Sequence, residues 1–252
     1  MPIPDFDPAH LPRITVLDEA YHIPGLDKTR RVAVLCPHDY DQTDRRYPVL
    51  YLQDGQNLAD EGAPYGNWAV DKRLAALRPH GGGEVIVVAV DHAEQRRLTE
   101  FAPFDHPEYG PGEGGRYVDF LTGVLKPQVD AAFRTRPERI HTGVGGSSMG
   151  GLISLYAGLV RPDVFSKWMI FSPSLWIAPA VYPQAAGFVP GATTRAYLYG
   201  GEREPGVAAD LRRLRDHLDR RVDHRLHVHP EGKHNEYYWG EAFADALKWL
   251  YR

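Results

Sequence analysis

Residues 146–150 read Gly-Ser-Ser-Met-Gly. This is a G-x-S-x-G pattern with Ser148 at its centre. A serine in such a turn attacks a carbonyl carbon, provided that a base takes its proton and N–H groups receive the oxyanion. The pattern requires a strand before it and a helix after it. "RIHTGVG" (139–145) reads as a strand and "MGGLISLYAGLVRP" (149–162) as a helix. Glycines at −2 and +2 are needed because side chains there would collide with the neighbouring strand and helix. The helix N-terminus just beyond favours an oxyanion. Ser147 is the rival nucleophile, but its flanks are Gly145 and Met149, so it falls outside the pattern. The alternative to a nucleophile is a glycine-rich turn with incidental serines, so the partners decide.

In this architecture the acid and the histidine follow the serine in chain order. The strand at 195–201 ends in "GGEREPG", which offers Glu202 and Glu204. Glu204 is preferred because it lies further into the loop, just before Pro205, which restrains the backbone. The strand at 224–230 is followed by "PEGKHNEYYW", which offers His234 as the base. Of the twelve histidines, His227 and His229 share a strand face but have no evident third metal ligand, and His141 falls mid-strand. No metal is expected. For the oxyanion, one N–H comes from Met149 and the second from Gln56 in "YLQDGQN", where Gly55 lets the chain turn sharply. Trp176 and Trp68, near predicted strand and helix ends, are candidate substrate contacts, and the Pro/Gly-rich loop 103–116 is a candidate rim or lid.

These residues need a scaffold that brings strand ends together. Short β-rich runs alternate with helical patterns: strands at 13–23, 29–37, 47–55, 84–90, 139–145, 167–173, 195–201 and 224–230, helices at 67–77, 117–133 (kinked near Pro127), 149–162, 207–221 and 236–251. The first two strands suit an antiparallel pair. The rest argue for an α/β fold, a mostly parallel central sheet with helices on both faces and ligands at the carboxyl ends of the strands. The reading is one domain over 1–252, without repeat or linker. Apolar residues make up 43% and charged residues 25%, as in globular proteins. The net charge of −4 offers no basic face for nucleic acid. Cys36 is the lone cysteine, so no intrachain disulfide forms. No membrane span and no secretory leader are seen, so a cytoplasmic location is expected. Nothing in the sequence fixes the oligomeric state.

"YPVLYLQDGQNL", "GGSSMGGLISLYAGLVRPDVFSKWMIFSPSLWIAP" and "KHNEYYWGEAF" together resemble the Putative esterase family of α/β-hydrolases, from about Arg30 to the C-terminus. That family includes enterochelin-type siderophore esterases, feruloyl and acetylxylan esterases and S-formylglutathione hydrolases. The resemblance implies Ser148 as nucleophile, His234 as base and an acid in "GGEREP", with the siderophore-esterase pattern "REP" favouring Glu204. "CPHDYD" stands where relatives more often have Pro-Pro-Gly-Tyr. The function expected is a serine esterase that acts on a small-molecule ester through an acyl-enzyme, without a cofactor. An acyltransferase using the same triad, and a non-catalytic binding protein on the same fold, are the alternatives.

Overall fold

The computed structural model describes residues 3, 5–59, 61–63, 66–191, 193–218 and 221–252. Eight strands form one sheet: β1 (Arg13–Ile23), β2 (Lys28–Cys36), β3 (Val49–Gln53), β4 (Ile86–Val90), β5 (Thr142–Ser147), β6 (Lys167–Phe171), β7 (Arg195–Gly201) and β8 (Asp223–His229). Their order is β1-β2-β4-β3-β5-β6-β7-β8. β1 pairs antiparallel with β2, and β2 with β4. From β4 to β8 every pairing is parallel.

The central strands are apolar at successive positions because both of their faces are covered. Valine, leucine and aromatic side chains alternate between two cores. Val49, Tyr51, Val144 and Ile170 face one of them, packed by Tyr117 of α3 (Gly114–Phe120), Leu152 of α5 (Met149–Val160) and Leu211 of α7 (Val207–Leu218). Leu50, Leu52, Met169 and Tyr197 face the other, packed by Leu74 of α1 (Val70–Leu77) and by Phe243 and Leu247 of α8 (Glu236–Leu250). The helices therefore lie on both faces, as the α/β alternation requires.

Three local readings change. The helix expected over 117–133 is α3, a π-helical turn (Leu121–Leu125) and α4 (Lys126–Ala132). Pro127 in the first turn of α4 has no N–H to give the preceding turn, and the wider turn absorbs that loss. The strand expected from Arg139 starts at Thr142, because Arg139–His141 make a 3-10 turn. His141 thus precedes the strand. Two short helices, α2 (Arg97–Phe101) and α6 (Val181–Gly187), carry too few turns to show periodicity in sequence. The expected helix 207–221 is seen to Leu218, and 219–220 lie outside the described residues. In loop 103–116, His106 and Gly110 pair backbone to backbone at 2.9 and 2.8 Å. Among the described residues, no helix is long and apolar enough to cross a membrane.

Candidate active site

Ser148 sits between β5 and α5 with φ 56° and ψ −122°. A positive φ at a non-glycine residue costs about 1–3 kcal/mol and persists only where the surroundings enforce it. They do so here: the Ser148 N–H donates to the Phe171 carbonyl at 3.0 Å, and its carbonyl accepts from Leu152 at 3.0 Å and Ser174 at 3.1 Å. The flanking glycines are sterically required. A Cβ on Gly146 would lie 2.8 Å from the carbonyl carbon of Gly150, and one on Gly150 would lie 2.5 Å from Asp54 Oδ2. Ser147 ends β5, and its carbonyl accepts from Arg97 Nη2 at 3.4 Å. The Ser148 and Ser174 hydroxyls are 3.3 Å apart.

His234 lies in the loop between β8 and α8, with Nδ1 2.6 Å from Glu204 Oε2. Glu204, in the turn after β7, is 3% exposed. Its Oε1 accepts from the Gly201 N–H at 2.7 Å and from the Ser172 hydroxyl at 2.8 Å. Glu202 is turned outward to Arg212 Nη2 at 2.6 Å. Burial and backbone support thus favour Glu204 of the two. The Trp239 ring meets His234 edge-on, with centroids 4.8 Å apart. Ser148 and His234 line one cavity of about 490 Å³.

Met149 is the first residue of α5, where N–H groups find no acceptor within the helix. Gln56 is central in a 3-10 turn (Gly55–Asn57) after β3. Its Oε1 accepts from the His92 N–H at 3.0 Å and its Nε2 reaches Glu94 Oε1 at 3.5 Å, so it ties the loops after β3 and β4. Its neighbours Asp54 and Asn57 line the cavity, together with His92, Glu94, Arg97 and Glu236. Burial raises the Glu236 carboxyl from its ordinary value and lowers the His92 imidazole.

The two candidate tryptophans separate. Trp176 is 60% exposed, and its ring stands edge-on to Tyr109 of loop 103–116 with centroids 6.3 Å apart. Trp68 is 2% exposed, stacks on Phe171 and neighbours Trp239, so it is core beneath the site; neither tryptophan is among the residues that line the cavity. An indole ahead of a helix suits either place, and the sequence does not separate them. His227 and His229 face the rings of Tyr199 and Tyr238. Among the described residues, no three His, Cys, Asp or Glu side chains are grouped to hold a metal ion.

Sequence reasoning missed Arg97, Ser172 and the polar part of Trp239. Arg97 in "QRRLTE" belongs to no motif, and its partner Asp54 reads in sequence only as a turn residue. Ser172 stands in "SPSLW", where the tryptophan is the more conspicuous residue.

The sequence matches the Putative esterase family over residues 23–250. The uncharacterized protein YbbA of Bacillus subtilis is 23% identical over 241 residues, 88% of this chain and 92% of that one. The iron(III) enterobactin esterase of Dickeya dadantii is 24% identical over 263 residues, 96% of this chain and 56% of that one, so this chain spans little more than half of that relative. Among solved structures, the enterobactin esterase of Shigella flexneri, crystallised with enterobactin, superposes with a TM-score of 0.80 at 21% identity, covering all of this chain and 64% of that one. That likeness carries the fold. The chain belongs to the Putative esterase family, carboxylic-ester hydrolases built on the α/β-hydrolase fold.

Proposed function

We propose that the protein is a serine esterase whose triad is Ser148, His234 and Glu204. The observation that carries this reading is the 2.6 Å contact between buried Glu204 and solvent-accessible His234, whose ring lines the same cavity as a strained serine. An ionised carboxylate accepts only, so the proton between them is held at His234 Nδ1 and the lone pair is left at Nε2.

Ser148 Oγ attacks the ester carbonyl while His234 Nε2 takes its proton. The N–H groups of Met149 and Gln56 receive the oxyanion. The tetrahedral species collapses, the C–O bond to the alcohol breaks, and His234 gives its proton to the departing oxygen. Water then attacks the acyl-Ser148 ester, again losing a proton to His234, and the carboxylic acid leaves with Ser148 regenerated. The cavity admits a small-molecule ester, and the named enterobactin-esterase relatives favour a siderophore or related aryl ester.

A fluorophosphonate probe tests the nucleophile: it labels the wild type at Ser148 and leaves Ser148→Ala unlabelled, while turnover falls about 10³-fold or more. Retained turnover in that variant removes the mechanism. A panel of p-nitrophenyl, feruloyl and trilactone esters, with product analysis in added alcohols, ranks substrates and separates hydrolysis from acyl transfer.

A further inference from the structure

We propose that Ser172 and Trp239 are positioning residues for the reaction: a one-way hydrogen-bond chain from the Trp239 indole through the Ser172 hydroxyl to Glu204 sets the tautomer of His234. The inference rests on the triad reading above and extends it to buried Ser172, which lies outside the cavity lining, and to Trp239, whose ring lines the cavity beside His234 while its N–H points to Ser172.

The polarity of the chain follows from donor chemistry. An indole N–H only donates. Trp239 Nε1 lies 2.9 Å from Ser172 Oγ, so that oxygen accepts from it. The hydroxyl's own proton is then directed to its other neighbour, Glu204 Oε1, at 2.8 Å. The Gly201 N–H is a second donor to the same oxygen. With Oε1 serving these two donors, Oε2 faces His234 Nδ1. Every link points toward the carboxylate, because an indole N–H and a backbone N–H only donate and an ionised carboxylate only accepts.

Two further observations single out these residues. Ser172 has φ 41°, a conformation that glycine takes freely and a side-chain-bearing residue takes at a cost. The chain nonetheless carries a hydroxyl there, pinned by the Ser172 N–H to the Tyr199 carbonyl at 2.6 Å. The same indole that starts the chain also packs edge-on against the His234 ring. Trp239 therefore acts on the acid through hydrogen bonds and on the base through contact. Ser172, Glu204 and Trp239 are all buried, so solvent does not replace a missing donor.

The test uses Ser172→Ala and Trp239→Phe, singly and combined, on the best ester of the panel. The phenylalanine substitution keeps an aromatic ring beside His234 while removing the indole N–H. Each single change is expected to lower kcat about tenfold or more, with KM within about twofold for Ser172→Ala, whose side chain lies outside the cavity lining. The double variant should be no worse than the poorer single one, because the links act as a unit. The downfield proton resonance of His234 Nδ1–H should shift or vanish in each. Wild-type kcat in either folded variant, or losses that multiply in the double one, overturns the proposal. If Trp239→Phe does not fold, Ser172→Ala alone decides by kcat and by the resonance. Failure of the triad reading shows elsewhere, as activity retained in Ser148→Ala.

Discussion

The guanidinium of Arg97 holds the carboxylate of Asp54 with two parallel hydrogen bonds, Nε to Oδ1 at 2.6 Å and Nη2 to Oδ2 at 2.8 Å. Asp54 is itself in the left-handed region, with φ 60°, two residues before Gln56. Arg97 Nη2 also reaches the Ser147 carbonyl. One ion pair thus joins the loop after β3, helix α2 and the start of the turn that carries Ser148. Arg97→Ala leaves a buried carboxylate without its cation, which costs about 3 kcal/mol. It also loosens the turn that carries Gln56, so kcat falls with stability. Arg97→Lys should lie between, since an ammonium cannot grip both oxygens. Urea denaturation and turnover on the three proteins check this.

Gly150→Ala gives a result opposite to helix propensity. In an open helix the change would stabilise by about 1 kcal/mol. Here the new methyl would stand 2.5 Å from Asp54 Oδ2 and 3.0 Å from Gln53 Cβ. The contact should win, with a loss of about 1–3 kcal/mol and reduced turnover as Asp54 shifts. Thermal melts and kcat measured together read both effects.

The two tryptophans should respond differently. Trp176→Ala removes an exposed ring packed on Tyr109 of loop 103–116, so stability should stay within about 0.5 kcal/mol, and a rise in KM for aryl esters would place that loop at the substrate. Trp68→Ala empties a core position and should cost about 3–5 kcal/mol. Comparing KM for aryl and short aliphatic esters with the melting temperature of each variant distinguishes a substrate-facing ring from a core one.

A pH dependence resides in Asp91, just after β4. Burial pushes its carboxyl up to about 6. Its Oδ1 has no hydrogen-bond donor among the described residues, and Arg31 Nη1 is 4.0 Å away. The folded state therefore holds this proton more tightly than the unfolded chain, where the value is 3.8. The stabilising contribution is complete below about pH 4 and is lost as pH rises through about 6. Asp91→Asn should be more stable than wild type at about pH 8, by roughly 1–2 kcal/mol, with the difference vanishing near pH 4. Denaturant midpoints at three pH values measure it.

The sheet and the triad candidates were legible because their signals are local. Doubly buried strands such as "EVIVVAV" announce themselves by unbroken apolar runs, and a strand–turn–helix with glycines two residues either side of a serine leaves few geometries open. Chain order then pointed to His234 and Glu204. The supports were not legible because they are contacts between distant segments. Arg97 and Asp54 are 43 residues apart, and Ser172 and Trp239 are 67 apart. No spacing rule links them. Pro127 shows the intermediate case: the missing N–H marks a kink in the sequence, but not that a π-helical turn takes it up.

Helix α8 is staked at both ends. Near its start Trp239 is bonded to Ser172, and at its finish Lys167 Nζ donates to the Leu250 carbonyl at 2.6 Å, with the Tyr251 hydroxyl on the Val49 carbonyl at 2.8 Å. Its fifteen residues span about 22 Å, from the end near His234 to the end beside the first residues of β3 and β6. His234 stands two residues ahead of this rod and takes its place from the rod's docking as much as from its own loop. Turnover is thereby a gauge of tertiary order. If α8 loosens before the strands part, loss of activity should run ahead of loss of secondary structure in a denaturant titration; coincident loss would show that α8 and the sheet unfold as one unit.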